Sequence, residues 1–200
     1  MREQAAIRAA AGHFISQYGV PDVVIGNAGI SIGALTEYES DAAVFRETLE
    51  TNLLGLVHTF QPFIEAMRAE RRGKLVGIAS VAGFRGLPGA SAYSASKAAA
   101  INYLEGLRVE LHGSGVRVLT ICPGFIATPM TEKNPYPMPF IIGADDAARR
   151  FVRAIDSHKS HAVIPWQMAV LGRVLKLLPN AIYDPLLAGR KRKPRKVPAP

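Results

Sequence analysis

Four short apolar runs, each led by a helical stretch, leave this chain few ways to fold. Asp22–Gly26, Lys74–Ala79, Val116–Cys122 and His161–Ile164 have the length and aliphatic content of strands. The stretches ahead of them have helical length: 2–18, Asp41–Arg71, Ser91–Leu111 and Ala144–Ser157. Within the first, Ile7, Ala10, Ala11, Phe14 and Ile15 fall near one face, and Gly19 and Pro21 supply the stop. Strands alternating with helices require right-handed crossovers, so the sheet is parallel and covered on both faces. The expected fold class is α/β, a doubly wound parallel sheet. At 200 residues the chain is one domain in size.

The second helical stretch carries Phe45, Leu49, Leu56, Phe60, Phe63 and Met67 at spacings of three and four, with a gap that Asn52 fills. An amide on a buried stripe costs stability unless it is hydrogen-bonded. Two readings stand: a core asparagine bonded to backbone, or a polar anchor for a water beside a reactive group.

That reactive group is read from Tyr93-Ser94-Ala95-Ser96-Lys97. A tyrosine and a lysine at i and i+4 share one helix face. An ammonium there is expected to pull down a phenol pKa that is ordinarily about 10. A phenol tuned this way exchanges protons near neutral pH, as alcohol oxidation and ketone reduction demand. Ser80 lies thirteen residues earlier, at the end of a strand. Pro123-Gly124 ends the next strand, and Thr128 follows it with a hydroxyl and an N–H that suit an amide. Serines at strand ends are common, and Tyr-xxx-Lys recurs by chance on helix surfaces. Their joint placement at the carboxyl ends of parallel strands, where open sheets bind ligands, carries the argument.

These residues resemble the short-chain dehydrogenase/reductase family from residue 1 to about 165. The matches are Asn27-Ala28-Gly29 after a strand, Asn52-Leu53-Leu54-Gly55, Ala79-Ser80-Val81-Ala82-Gly83, Tyr93 to Lys97, and Pro123-Gly124 with Thr128. The resemblance implies a Rossmann-like fold and an NAD(P)-dependent oxidoreductase that interconverts an alcohol and a ketone or aldehyde. It makes Tyr93 the acid/base, Ser80 the group polarising the carbonyl, and Asn52 the holder of a relay water. Lys97 would lower the tyrosine pKa and bind the nicotinamide ribose. Asn27, Ala28, Gly29, Tyr93, Lys97, Pro123, Gly124 and Thr128 would line NAD or NADP, without distinguishing the two. It also implies a homo-oligomer built on the Asp41–Arg71 and Ser91–Leu111 helices, with Leu104 and Leu107 expected near an outer face.

One part of the family pattern is missing. Its members begin with a strand, a TGxxxGxG turn and a helix whose N-terminus receives the pyrophosphate. Gly26-Asn27-Ala28-Gly29 lacks the GxGxxG form and is read as a later loop. The expected sheet is thus incomplete at its N-terminal side, about four of the family's seven strands, with Asp22–Gly26 at an exposed edge. The competing reading is a catalytically inactive fragment or pseudoenzyme that binds no dinucleotide. The layout expected is a partial NAD(P)-binding domain over 1–165, a helical extension over 166–189 and a disordered basic tail over 190–200.

Charge narrows the partners. The formal net charge is +8, and six of the cations sit between Arg190 and Lys196. Nothing aromatic is interleaved with that run, so no nucleic-acid partner is expected. The extension has two readings: helices that cover the substrate pocket or a partner subunit, or a surface helix drawn to anionic lipid by the basic run. The lone Cys122 fits a reducing compartment and, between Ile121 and Pro123, reads as a buried small residue. His158 and His161 lack partners at metal-ligand spacing, so no metal is expected. Cytoplasm is the expected location. Asn134–Pro139 holds three prolines and reads as a loop. The apolar residues Tyr136, Met138, Phe140 and Ile141 suit a hydrophobic substrate.

Overall fold

The apolar runs form one parallel sheet in the computed structural model, which describes residues 2–195. Its strands are β1 (Val23–Gly26), β2 (Lys74–Ile78), β3 (Arg117–Pro123) and β6 (His161–Ile164), in the order β1-β2-β3-β6. Two short segments unforeseen from the sequence, β4 (Ile126–Ala127) and β5 (Ile142–Gly143), pair separately. The helices are α1 (Gln4–Tyr18), α2 (Ala42–Leu49), α3 (Gly55–Ala69), α4 (Ser91–Glu110), α5 (Pro129–Glu132), α6 (Ala144–Asp156), α7 (Gln167–Leu177) and α8 (Asn180–Ala188).

Side chains alternate across a strand, and the core divides accordingly. Leu75 and Val118 join Val24, Leu56, Phe60, Met67, Leu104 and Leu107 in one buried cluster. Their neighbours Val76 and Leu119 join Ile121, Ala154 and Ile164 in another. The sheet is therefore covered on both faces, and each such burial contributes roughly 1.5–3 kcal/mol. Leu104 and Leu107 belong to this core and not to an outer face of α4. Val109 is the large apolar residue of α4 that faces solvent. β1 is an edge strand that pairs with β2 alone among the described residues. Val24 and Gly26 turn inward while Val23 and Ile25 are exposed.

The helix through Asn52 differs from the expected stripe. Its inward row runs Val44, Thr48, Asn52, Leu56 and Phe60 at four-residue spacing, with Gly55 and Met67 also buried. Leu56, Phe60 and Met67 of the expected stripe thus face inward, while Leu49 is exposed. Strict four-residue spacing drifts around an α-helix of 3.6 residues per turn. A π-turn over Glu50–Leu54 takes up that drift and keeps Asn52 aimed inward.

The expected disordered tail is ordered where it is described; residues 196–200 lie outside the described residues. Arg195 grips the fully buried carboxylate of Asp41 with two hydrogen bonds, Nε to Oδ2 at 2.7 Å and Nη2 to Oδ1 at 3.0 Å. Its guanidinium lies 3.7 Å from the centre of the Tyr38 ring. Lys193 donates to Ser31 Oγ at 2.8 Å. Gly33 admits this segment, because a β-carbon there would stand 2.4 Å from the Lys193 carbonyl oxygen.

The Arg195 hydrogen bonds, with the Leu35 N–H, hold the Asp41 pKa below its ordinary value. A depressed carboxylate contributes stability above its unfolded pKa, and that contribution disappears as pH falls through the folded one. Arg195→Ala is therefore expected to lower the melting temperature at neutral pH and to flatten its decline in acid. Identical melting curves from pH 3 to pH 7 would contradict this.

Candidate active site

Ser80, Tyr93, Lys97 and Asn52 converge at the carboxyl ends of β1 and β2. Ser80 follows β2 in extended conformation, and its Oγ accepts from the Ala82 N–H at 3.1 Å, capping a 3-10 turn over Val81–Gly83. The turn lies against α4: a β-carbon on Gly83 would meet backbone atoms of Lys97 and Ala98 at 2.7–2.8 Å. Glycine at that position sets the distance from the serine to the helix. The Ser80 hydroxyl lies on the side of the Tyr93 phenol, near enough to favour its ionised form.

Lys97 is buried and donates to the Ile78 carbonyl at 2.8 Å. Its Nζ lies 5.9 Å from the Tyr93 ring centre. The expected lowering of the phenol pKa by this ammonium is not what the site produces. Burial dominates and raises the Tyr93 pKa, the Ser80 hydroxyl opposes it, and Tyr136 and Cys122 add to the rise. Burial also lowers Lys97 to about 8. A buried lysine with a depressed pKa weighs on the fold below that value. Stability is expected to gain from its deprotonation between about pH 8 and the ordinary lysine range.

Asn52 is held as the backbone-bonded reading describes. Its Nδ2 donates to Ile30 O and Ser96 Oγ, each at 2.9 Å, and its Oδ1 accepts from the Ile30 N–H at 2.8 Å. Ser96, overlooked in the sequence, also donates to the Tyr93 carbonyl at 2.7 Å. It ties Asn52 and the Gly29–Ile30 loop to the first turn of α4. Its signal was available: a serine between Tyr93 and Lys97 that faces inward among Ala92, Ser94 and Ala100.

The expected cofactor-lining residues divide. Asn27 and Ala28 are exposed past the end of β1, and Gly29 is half-buried beside Asn52 and Lys97. A β-carbon on Gly29 would stand 3.2 Å from Asn52 Oδ1 and 3.5 Å from Lys97 Nζ. Its absence leaves room beside an ammonium that has donors to spare. That cradle fits a ribose diol. Pro123 is buried in β3, and Gly124 lies under Met168, whose Cγ a β-carbon would approach to 2.6 Å. The Thr128 N–H donates to Thr131 Oγ1 at 3.1 Å, and its hydroxyl lies 3.4 Å from Ile126 O. The amide donor expected of Thr128 is thus engaged locally.

Tyr136 is half-buried close to Tyr93, its ring 6.4 Å from Phe125. Phe140 and Ile141 remain exposed. Cys122 is fully buried and its thiol is pushed up to about 12 by burial, which leaves it inert as a nucleophile. Among the described residues no group of His, Cys, Asp or Glu could hold a metal ion.

Comparison with known proteins bears on the family and the fold. The sequence profile described as short chain dehydrogenase matches residues 1–137. An uncharacterized oxidoreductase of Myxococcus xanthus is 40% identical over 169 residues, 84% of this chain and 66% of that protein. The 3-oxoacyl-[acyl-carrier-protein] reductase of Thermotoga maritima is 39% identical over 125 residues, 60% of this chain and 49% of the relative. The chain thus spans between half and two thirds of these relatives' lengths. A short chain dehydrogenase from Burkholderia cenocepacia, solved in complex with NADP, superposes with a TM-score of 0.79 at 26% identity. The superposition covers 93% of this chain and 75% of that one.

Proposed function

The chain belongs to the short chain dehydrogenase family, and from that premise we propose that it carries the proton-transfer centre of an NAD(P)-dependent reductase of ketones or aldehydes. The observation that supports this best is the placement of Ser80, a half-buried Tyr93, Lys97 and Asn52 around the carboxyl ends of β1 and β2, with the Tyr93 pKa raised. A phenol kept protonated at neutral pH is a general acid. Gly29 and Lys97 would hold a nicotinamide cofactor, whose chemistry when bound would be hydride transfer. In reduction, the Ser80 hydroxyl donates a hydrogen bond to the carbonyl oxygen and so stabilises the charge that develops there. Tyr93 Oη delivers its proton to the same oxygen. Lys97 would hold the ribose hydroxyls through donors not engaged by Ile78. Asn52 and Ser96 fix the first turn of α4, so the phenol stays where the substrate oxygen arrives.

The apolar neighbours Phe125 and Tyr136 and the loop through Met138 favour a hydrophobic ketone. A 3-oxoacyl substrate, as in the name of the Thermotoga relative, is of that kind. We also propose a homo-oligomer through the outer faces of α2, α3 and α4, where Leu49, Leu54 and Val109 are exposed.

A fluorescence titration of the chain with NADH and NADPH separates this reading from the inactive-fragment alternative. Saturable binding of either cofactor is expected. Lys97→Met should weaken it about ten- to a hundredfold, since a charge-assisted hydrogen bond contributes about 1.5–3 kcal/mol. Absence of binding by the wild-type chain would favour the inactive fragment.

A further inference from the structure

The helical extension presents a surface that the proposed chemistry leaves unused. Along α7, Met168, Leu171, Gly172 and Leu175 turn toward the protein. The opposite side carries Trp166 just ahead of the helix, then Val170, Val174 and Leu177, which are 67, 50, 51 and 82% exposed. Their spacing of four, four and three residues places them on one stripe. Arg173 and Lys176 border it, both exposed. On α8, Ile182 and Leu186 are exposed one turn apart, and Arg190 Nε lies 3.4 Å from the Leu186 carbonyl oxygen. The exposed Lys191 and Arg192 follow.

The two helices meet at a fixed corner. Arg85 Nη1 donates to Leu175 O and Leu178 O at 2.5 Å, and its Nη2 donates to Asn180 Oδ1 at 2.6 Å. The guanidinium lies 3.8 Å from the Tyr183 ring centre, and the Tyr183 hydroxyl donates to Gly86 O at 2.5 Å. The corner is therefore anchored to the loop between Ser80 and Tyr93.

We propose that the outer face of α7 and α8 docks on an anionic lipid bilayer. Its chemistry selects that occupant. Apolar side chains flanked by cations suit the boundary between acyl chains and negative headgroups. Between Trp166 and Arg195 there is a single acid, Asp184. A second copy packed symmetrically on this face would set Arg173, Lys176, Arg190 and Lys191 against themselves. A polynucleotide would engage the cations but leave the apolar stripe in water. Among the described residues no helix is long and apolar enough to cross a membrane, so the contact is one of surface docking.

Trp166 is the only tryptophan, which makes its emission a direct reporter of the face. The full chain is mixed with vesicles of phosphatidylcholine alone or with about three parts in ten phosphatidylserine, an anionic surface of the kind that attracts basic segments. With the anionic vesicles, Trp166 emission should shift to the blue, brominated acyl chains should quench it, and the protein should float with the lipid. Removing two cations in Arg173→Gln/Lys176→Gln should weaken partitioning roughly tenfold or more. Val174→Asp/Leu177→Asp should abolish it, with the circular dichroism of both variants unchanged. Absence of a lipid-dependent shift, or equal binding to neutral and anionic vesicles, overturns the proposal. So does a blue shift that follows protein concentration without lipid, since a second copy then covers the face.

Discussion

Tyr93→Phe is expected to reduce ketone turnover by the active protein about 10²- to 10⁴-fold while leaving fold and cofactor affinity nearly unchanged. The substitution removes one oxygen and keeps the ring that packs near Tyr136. What disappears is the only proton donor in the cluster of Ser80, Tyr93 and Asn52 that could follow the hydride to the substrate oxygen. The Ser80 hydroxyl remains and can still polarise the carbonyl, so a residual rate is expected. The pH profile gives a second reading of the same residue. Because burial raises the Tyr93 pKa, reduction, which uses the protonated phenol, should persist through neutral pH and decline only in strong alkali. Oxidation of the alcohol needs the phenolate and should rise with pH over the same range. The measurement is initial rate against pH in both directions. Wild-type turnover by the phenylalanine variant, or a reduction rate that halves near pH 7, would remove Tyr93 from its role.

The sheet, its parallel sense and the identity of the converging residues were legible because each rests on local pattern. Alternation of apolar runs with helices fixes the parallel crossovers, and Tyr93 and Lys97 announce themselves by spacing on one helix. What escaped depends on distance and burial. Leu104 and Leu107 look surface-bound in a helix with so many small residues, but the sheet covers their side of α4. Leu49 fits a three-and-four pattern that assumes an unbroken α-helix. The π-turn at Asn52 shifts the buried face to Val44 and Thr48, and no pairwise spacing reveals that. The sign of the Tyr93 shift was also hidden. Sequence places an ammonium one turn away, whereas the fold sends that ammonium to the Ile78 carbonyl and buries the phenol. The tail illustrates the same limit. A basic run without apolar content reads as solvated, yet Arg195 finds Asp41, the one buried carboxylate among the described residues. That partner lies 154 residues away in sequence.

Gly83→Ala tests whether the spacing between the Ser80 turn and α4 is what holds the site together. The new methyl group would stand 2.7 Å from the Lys97 carbonyl carbon and 2.8 Å from Lys97 O and Ala98 N. These are backbone atoms inside a helix, so no side-chain rotation relieves the clash, and the turn or the helix must move. Either movement separates the Ser80 hydroxyl from the Tyr93 phenol and shifts Lys97 relative to Gly29. Misplacement of reacting groups by about 1 Å can cost about 10² in rate. A drop in kcat/KM of about that size is expected, with a lower melting temperature. Gly86→Ala is the control from the same loop, because a β-carbon there meets nothing within 4 Å. It should leave both activity and melting unchanged. If Gly83→Ala retained full activity, the contact between turn and helix would not govern the geometry of Ser80 and Tyr93. If both alanine variants lost activity equally, the cause would be stiffening of the loop, because of the two only Gly83 faces α4 at close range.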